Sequence, residues 1–291
     1  MRLARFDDNR LGLVEGRADD QYVRDVTAAL DVLPAVRYPL PAGDLLIANL
    51  DAVVAAARPI APDSPIIKLK DVVLRSPVAN PGKIVAAPVN YEKHLDEVRG
   101  DAGLHHDNPI TTIHRAGLFL KAASSVVGAG DGIALEMLDR RSDHEVELAV
   151  VIGRRARRVK RKDALEYVAG YCIGFDITIR GSEERSLRKS VDTYTVLGPY
   201  LVTADEIGSP DDLDLSLSVG GELRQQSNTR YLTKKVAELI EYATAFYTLF
   251  PGDILMTGTP EGVAPIYPGD TIEATISRIG SMTVCVRAAL S

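Results

Sequence analysis

Apolar residues along this chain recur mostly in short runs closed by Gly, Pro and Asp, the pattern of β-strands joined by tight turns. Such runs cover residues 3–6 and 11–15 on either side of Asp7-Asp8-Asn9-Arg10, then 66–74, 83–87, 116–121, 145–152, 170–177, 213–219, 253–256, 271–276 and 282–286. Helical spacing is rarer. It predicts one helix over about residues 45–57, carried by Leu46, Leu50, Val53 and Val54 and ended by Pro59, Pro62 and Pro65. It predicts another over 234–250, where Val236, Leu239, Ile240, Ala243, Phe246, Tyr247 and Phe250 form one stripe before Pro251. Strands do not alternate regularly with helices, so a doubly wound parallel sheet is not expected. The predicted fold class is α+β, mainly β: a mixed β-sandwich roll with a few packed helices. Proline-rich punctuation at 76–82 separates a small N-terminal α+β domain, residues 1–78, from a second domain, 79–291, that carries the candidate chemistry.

Composition narrows the function classes. A length of 291 residues suits one large domain with a smaller one, and 46% hydrophobic residues suffice for a sizeable core. A net charge of -6 argues against a nucleic-acid partner, which requires a basic face. Two cysteines, Cys172 and Cys285, give no disulfide framework and fit a reducing cytoplasm, with Cys172 reading as a buried small hydrophobe. The first residues lack a secretory signal, and no run reaches the ~18–20 apolar residues of a membrane helix. A cytoplasmic protein with no membrane partner is expected. Nucleotide signals fail as well: Gly128-Ala129-Gly130-Asp131-Gly132 is followed by Ile133, and no Gly-Lys-Ser/Thr follows any glycine cluster.

The chemistry is concentrated elsewhere. Asp143-His144-Glu145-Val146-Glu147 heads the apolar run Leu148 to Ile152, and in a strand Glu145 and Glu147 stand on one face while His144, Val146 and Leu148 face the other. Two adjacent anions repel, so unless both are solvated a positive group holds them, and a hard divalent cation with oxygen ligands suits the pair. Asp176, at the end of a second apolar run, supplies a third carboxylate. In Asn90-Tyr91-Glu92-Lys93-His94-Leu95-Asp96-Glu97, Asn90 is placed as a helix N-cap, and His94 and Glu97 are neighbours at i and i+3. A carboxylate beside an imidazole orients it as a base toward water; the same spacing also suits an exposed, weak ion pair. Arg180 and Lys189 are cations near these acids, suited to a substrate carboxylate or to the surface.

Together these residues carry a resemblance. Glu145-Val146-Glu147 with Asp176, Asn90-Tyr91 with His94 and Glu97, Phe119-Leu120-Lys121, Lys189-Ser190-Val191-Asp192 before Gly198-Pro199, Gly221-Glu222-Leu223-Arg224-Gln225 and the stretch Pro251-Gly252-Asp253 to Gly258-Thr259-Pro260-Glu261-Gly262 occur in order. The set is similar to the fumarylacetoacetate hydrolase family, over about residues 83–286. The resemblance implies Mg²⁺ or Mn²⁺ held by Glu145, Glu147 and Asp176, usually a homodimer, and chemistry on 2-oxo acids bearing a further carbonyl. It implies that His94, oriented by Glu97, deprotonates a water, that Lys189 offsets negative charge, and that Thr259 contacts the substrate. At 183, where family members often carry a substrate-facing Gln, stands Glu183, which would disfavour an acidic group on the substrate or pair with Arg180. The polar stretch 99–115, with His105 and His106, reads as a lid.

The leading expectation is a metal-dependent hydrolase of a C–C bond in a 2,4-dioxo acid or related 1,3-diketone. The alternative on the same site is an oxaloacetate-type decarboxylase, or an isomerase or decarboxylase of catechol meta-cleavage products. A non-catalytic metal- or metabolite-binding relative is the reading from another class, and the intact acidic triad, His94–Glu97 and Lys189 argue against it.

Overall fold

Glu147 and the apolar run that follows it lie in the strand Val146–Ile152, buried along its whole length. In the computed structural model, which describes residues 1–17, 20–106 and 110–289, Val146, Leu148, Val150 and Ile152 enter one apolar cluster. Ala149 and Val151 enter a second. Alternation along a strand puts these clusters on opposite faces of the sheet. A strand covered on both sides takes apolar residues on both faces, which is why Leu148 to Ile152 is a continuous apolar run rather than an alternating one, with Glu147 the exception at the site end.

That strand is central in a mixed sheet. Among the described residues the order is Ile66–Lys68, Tyr22–Asp25, Arg10–Glu15, Arg2–Phe6, Thr195–Thr203, Val168–Asp176, Val146–Ile152, Ile254–Met256, Ile84–Ala86 and Phe119–Lys121. Most neighbours are antiparallel, while Ile254–Met256 runs parallel to Ile84–Ala86. A five-stranded sheet, Glu222–Asn228, Asp214–Val219, Thr271–Ile276, Gly280–Ala288 and Ile133–Leu135, contributes Leu217, Ile272 and Val284 to the first cluster. The helix Val236–Phe246 adds Val236, Leu239, Ile240 and Ala243 to the same cluster. The helix Leu50–Ile60 covers the opposite face through Leu50, Val53 and Ala57. The result is a mixed-sheet sandwich with few helices, as the apolar pattern predicts. The first residues of the chain join the large sheet directly, with Arg2 opposite Val202 and Leu3 opposite Leu201.

Local expectations change in several places: the helix expected over 45–57 is divided at Asn49 into Leu45–Ala48 and Leu50–Ile60, and Pro59 lies inside the second piece rather than ending it. The predicted strand at 66–74 is divided into Ile66–Lys68, a 3₁₀ turn at Leu69–Asp71 and Leu74–Arg75. Asn90 does not cap the helix Glu92–Gly100, whose N-cap is Tyr91. Its amide instead donates to the carbonyls of Thr257 (2.8 Å) and Lys234 (3.0 Å), tying the helix entrance to the strand end at Met256. The long strand Thr195–Thr203, which contains Gly198-Pro199, is absent from the predicted set. Its ladder to Val168–Asp176 shifts register between Tyr171 and Ile173, and the proline, which has no N–H to donate, sits at that irregularity.

Candidate active site

Two neighbouring strands change sheets at the same place. Val146–Ile152 and Val168–Asp176 pair in the large sheet up to Val146 opposite Phe175. One residue further, the Asp176 amide donates to the Glu145 carbonyl at 2.9 Å. Beyond that bond the two chains continue as Ser142–His144 and Thr178–Ile179, paired in a small separate sheet. The corner turns the side chains of Glu145, Glu147 and Asp176 toward one point. Each offers an oxygen within 4.8 Å of the others, and all three are buried.

Cations from distant parts of the chain neutralise most of this charge. Lys189 Nζ donates to Glu145 Oε2 (2.7 Å), Asp176 Oδ2 (2.8 Å) and Thr178 Oγ1 (2.6 Å). Lys121 Nζ, fully buried, donates to Asp176 Oδ1 at 2.5 Å and to the Tyr194 carbonyl at 2.8 Å. Arg180 bridges Asp143 (2.8 Å) and Glu145 (2.9 Å), and Arg141 also pairs with Asp143. Arg180 is therefore committed to carboxylates rather than presented free to a ligand. Burial opposes ionisation of Glu145, yet Lys189 and Arg180 outweigh it and hold its carboxyl well below the usual range.

Glu147 differs. Its Oε2 accepts from the Gly258 amide at 2.6 Å, and among the described residues no cation pairs with it. Burial, Asp176 and Glu145 push its carboxyl well above the ordinary value. A buried carboxylate that lacks its own cation, beside two that share theirs, is the donor chemistry that a hard divalent ion fits.

The helix Glu92–Gly100 faces this cluster with a buried His94, whose Nδ1 meets Glu97 Oε2 at 2.9 Å. Glu97 Oε1 accepts from the Gly262 amide at 2.9 Å, so the carboxylate that orients the imidazole is itself fixed. Thr259 Oγ1 accepts from Gln225 Nε2 at 2.8 Å, which leaves the hydroxyl hydrogen for another acceptor. A cavity of about 280 Å³ joins these groups, lined by His94, Glu145, Glu147, Asp176, Lys189 and Thr259 together with Arg180 and Glu183. Only Glu97 among the nominated residues lies behind the wall.

Glu183 pairs not with Arg180 but with Arg140, through two bonds of 2.7 and 2.8 Å, and Arg140 holds its carboxyl down to about 2. His105 lines the cavity at the end of the short helix Ala102–His105, whereas residues 107–109 of the expected lid lie outside the described residues. Several charged residues of the cavity or cluster escaped nomination, among them Lys121, Arg141, Asp143, Glu184, Arg185 and Arg188. Asp143 extends the alternation that picked out Glu145 and Glu147, and Arg185 and Arg188 share a helical face with Lys189.

Comparison with known proteins finds relatives along the whole chain. The chain is 57% identical over 289 residues, covering 99% of both chains, to a maleylpyruvate hydrolase of Aquipseudomonas alcaligenes. It is 37% identical over 241 residues, 79% of this chain and 74% of the relative, to a mitochondrial oxaloacetate tautomerase of Rattus norvegicus. The crystal structure of maleylpyruvate hydrolase from Sphingobium sp. SYK-6 in complex with manganese(II) ion and pyruvate superposes with a TM-score of 0.83 at 37% identity, covering 100% of both chains. Residues 83–287 match the family described as fumarylacetoacetate (FAA) hydrolase C-terminal, and the chain belongs to that family.

Proposed function

We propose that this protein is a divalent-metal-dependent hydrolase that cleaves a C–C bond in an acylpyruvate. The observation that carries the reading is the buried triad Glu145–Glu147–Asp176 facing the His94–Glu97 pair across one cavity. The full-length likeness to maleylpyruvate hydrolases supports it.

Glu145, Glu147 and Asp176 would hold Mg²⁺ or Mn²⁺, and the bound ion supplies Lewis-acid stabilisation of the negative charge that develops on the 2-oxo group. The chain's own groups do the rest. His94, aligned by Glu97, takes a proton from water, whose oxygen bonds to the distal carbonyl carbon. The C–C bond then breaks, the acyl arm leaves as a carboxylic acid, and the pyruvate carbon receives a proton. Lys189 and Lys121 keep Asp176 and Glu145 in place and offset charge beside the substrate. The Thr259 hydroxyl donates to a substrate oxygen. Arg180 and Glu183 line the same cavity, where they would shape substrate binding through the pairs they already make.

The test is product analysis with Mn²⁺-loaded protein, acetylpyruvate and ¹⁸O-labelled water. Pyruvate plus acetate bearing one solvent oxygen is the expected result; no cleavage of any acylpyruvate would contradict the reading. The tautomerase relative favours a second reading, proton transfer or decarboxylation on oxaloacetate, which needs no attacking water. Activity on oxaloacetate alone would select it.

The reading extends to organisation. Residues 1–78 form a small unit that supports the site without entering it, since every nominated residue lies beyond 79 and the family match begins at 83. The protein works in the cytoplasm as a homodimer with no nucleic-acid or membrane partner. The charge of -6 disfavours a nucleic-acid partner, and among the described residues no helix is long and apolar enough to cross a membrane. Light scattering is expected to give twice the 31.4 kDa chain mass.

A further inference from the structure

On a regular strand Leu223 and Gln225 would share a face. In Glu222–Asn228 they do not, since Leu223 is 56% exposed and Gln225 is fully buried. The ladder to Asp214–Val219 gives the reason: Leu217 pairs with Gln225 and the next residue, Ser218, pairs with Leu223, so Arg224 is left over as a β-bulge. A bulge breaks the alternation and re-aims the side chain beside it. Gln225 is thereby turned inward from the five-stranded sheet onto the triad strand and the loop that carries Thr259. That loop packs directly on the bulge, because a β-carbon at Gly262 would come within 2.1 Å of the Arg224 carbonyl oxygen.

Once buried, the Gln225 amide has one orientation. Oε1 accepts from the Val146 amide at 3.1 Å and Nε2 donates to the Pro260 carbonyl at 2.9 Å, and neither backbone group can exchange roles. The remaining bonds follow from these two. Oε1 also meets His144 Nδ1 at 3.1 Å, so that nitrogen carries the hydrogen, and Nε2 gives its second hydrogen to Thr259 Oγ1 at 2.8 Å. The Thr259 hydroxyl is thus held as an acceptor on its Gln225 side, and among the described residues its own hydrogen has no acceptor. Thr259 lines the cavity, so that hydrogen is available to a ligand. His144 and Val146 flank Glu145 in the chain, so one amide ties the backbone beside a triad carboxylate to the hydroxyl on the facing loop.

Resting on the hydrolase reading above, we propose that Gln225 is a positioning residue: it holds the Thr259 hydroxyl as a donor to a substrate oxygen and fixes that donor relative to Glu145. A donor oriented before the substrate arrives needs no reorganisation as negative charge develops on that oxygen.

The experiment is a double-mutant cycle on Mn²⁺-loaded protein with Gln225→Glu, Thr259→Val and the two combined. It is read as kcat/KM for acetylpyruvate and, without turnover, as calorimetric affinity for pyruvate. Glu at 225 keeps the acceptor for Val146 and His144 but puts a second acceptor in place of Nε2, which draws the hydroxyl hydrogen away from the ligand. Each single variant should lose about 10- to 100-fold in both readouts, as for a hydrogen bond to a charged group. The double variant should lose no more than either single one, because both remove the same donor. In a Thr259→Ser background, where a hydroxyl remains, Gln225→Glu should again cost its full loss. Additive losses in the Thr259→Val cycle would overturn the assignment, since a residue that only supports the fold acts whatever stands at 259. Wild-type behaviour of Gln225→Glu would overturn it as well. If Gln225→Glu does not fold, Gln225→Met, which removes all four bonds without adding charge, runs the same cycle. If wild type cleaves no acylpyruvate, the hydrolase reading fails while the pyruvate cycle still decides the role of Gln225.

Discussion

The floor and the rim of the cavity treat charge in opposite ways. On the floor, Asp143, Glu145 and Asp176 are matched by Arg141, Arg180, Lys121 and Lys189, and among the described residues Glu147 has no cation paired with it. At the rim, Arg185 and Arg188 pair with no carboxylate among the described residues. The difference teaches how one pocket accepts two unlike partners. A floor one cation short invites a metal ion; a rim with unmatched guanidiniums invites an anion. Both deficits are tolerated because buried charge is stable only when compensated, and here the compensation is left for ligands.

The largest break in this contrast should come from the floor. Glu145→Ala is expected to lower turnover by at least about 10³-fold, because a ligand is lost and Arg180 and Lys189 are left buried without a shared partner. Denaturant unfolding should show the same variant destabilised by about 3–5 kcal/mol. Next, His94→Ala should reduce hydrolysis by about 10²- to 10⁴-fold while affecting any oxaloacetate decarboxylation less. Steady-state kinetics on both substrates decides this, and equal small losses would deny His94 the role of base.

Glu147→Gln sharpens the comparison from the other side. Burial and its two acidic neighbours raise the carboxyl above its unfolded value of 4.5, so at neutral pH the ionised form costs stability. Removing that charge should raise the melting temperature of the metal-free protein, by about 2–4 °C for each kcal/mol relieved. The sign is set by the raised value: the penalty exists above the unfolded value and disappears as pH falls below it. Melting curves at pH 8 and pH 4 measure it. The smallest effect is expected from Glu183→Gln, whose exposed pair with Arg140 is worth little, and turnover should stay within about twofold.

Much of this was legible in the chain, for identifiable reasons. Val146–Ile152 and Val168–Asp176 announce themselves because strands buried on both faces carry continuous apolar runs, interrupted here only by the site residues Glu147 and Asp176. The triad was readable because Glu145 and Glu147 sit two residues apart where one strand begins and Asp176 ends its neighbour. The pairing of cations with acids was not readable. Lys121 meets Asp176 across 55 positions and Arg180 meets Glu145 across 35, contacts made only where two strands turn from one sheet into another. Asn90 misled for a related reason: its amide serves Thr257 and Lys234, distant in sequence, rather than the helix it precedes. Arg185 and Arg188 carry no signature until the partners of Glu183 and Glu184 are known.

The central claim is that the three-carboxylate floor holds a divalent ion on which hydrolysis depends. Calorimetric titration of Mn²⁺ into wild type and Glu147→Gln tests it most directly. One ion per chain in wild type, with affinity at least about 100-fold weaker in the variant, is the predicted result; equal Mn²⁺ affinity in the two proteins would contradict it.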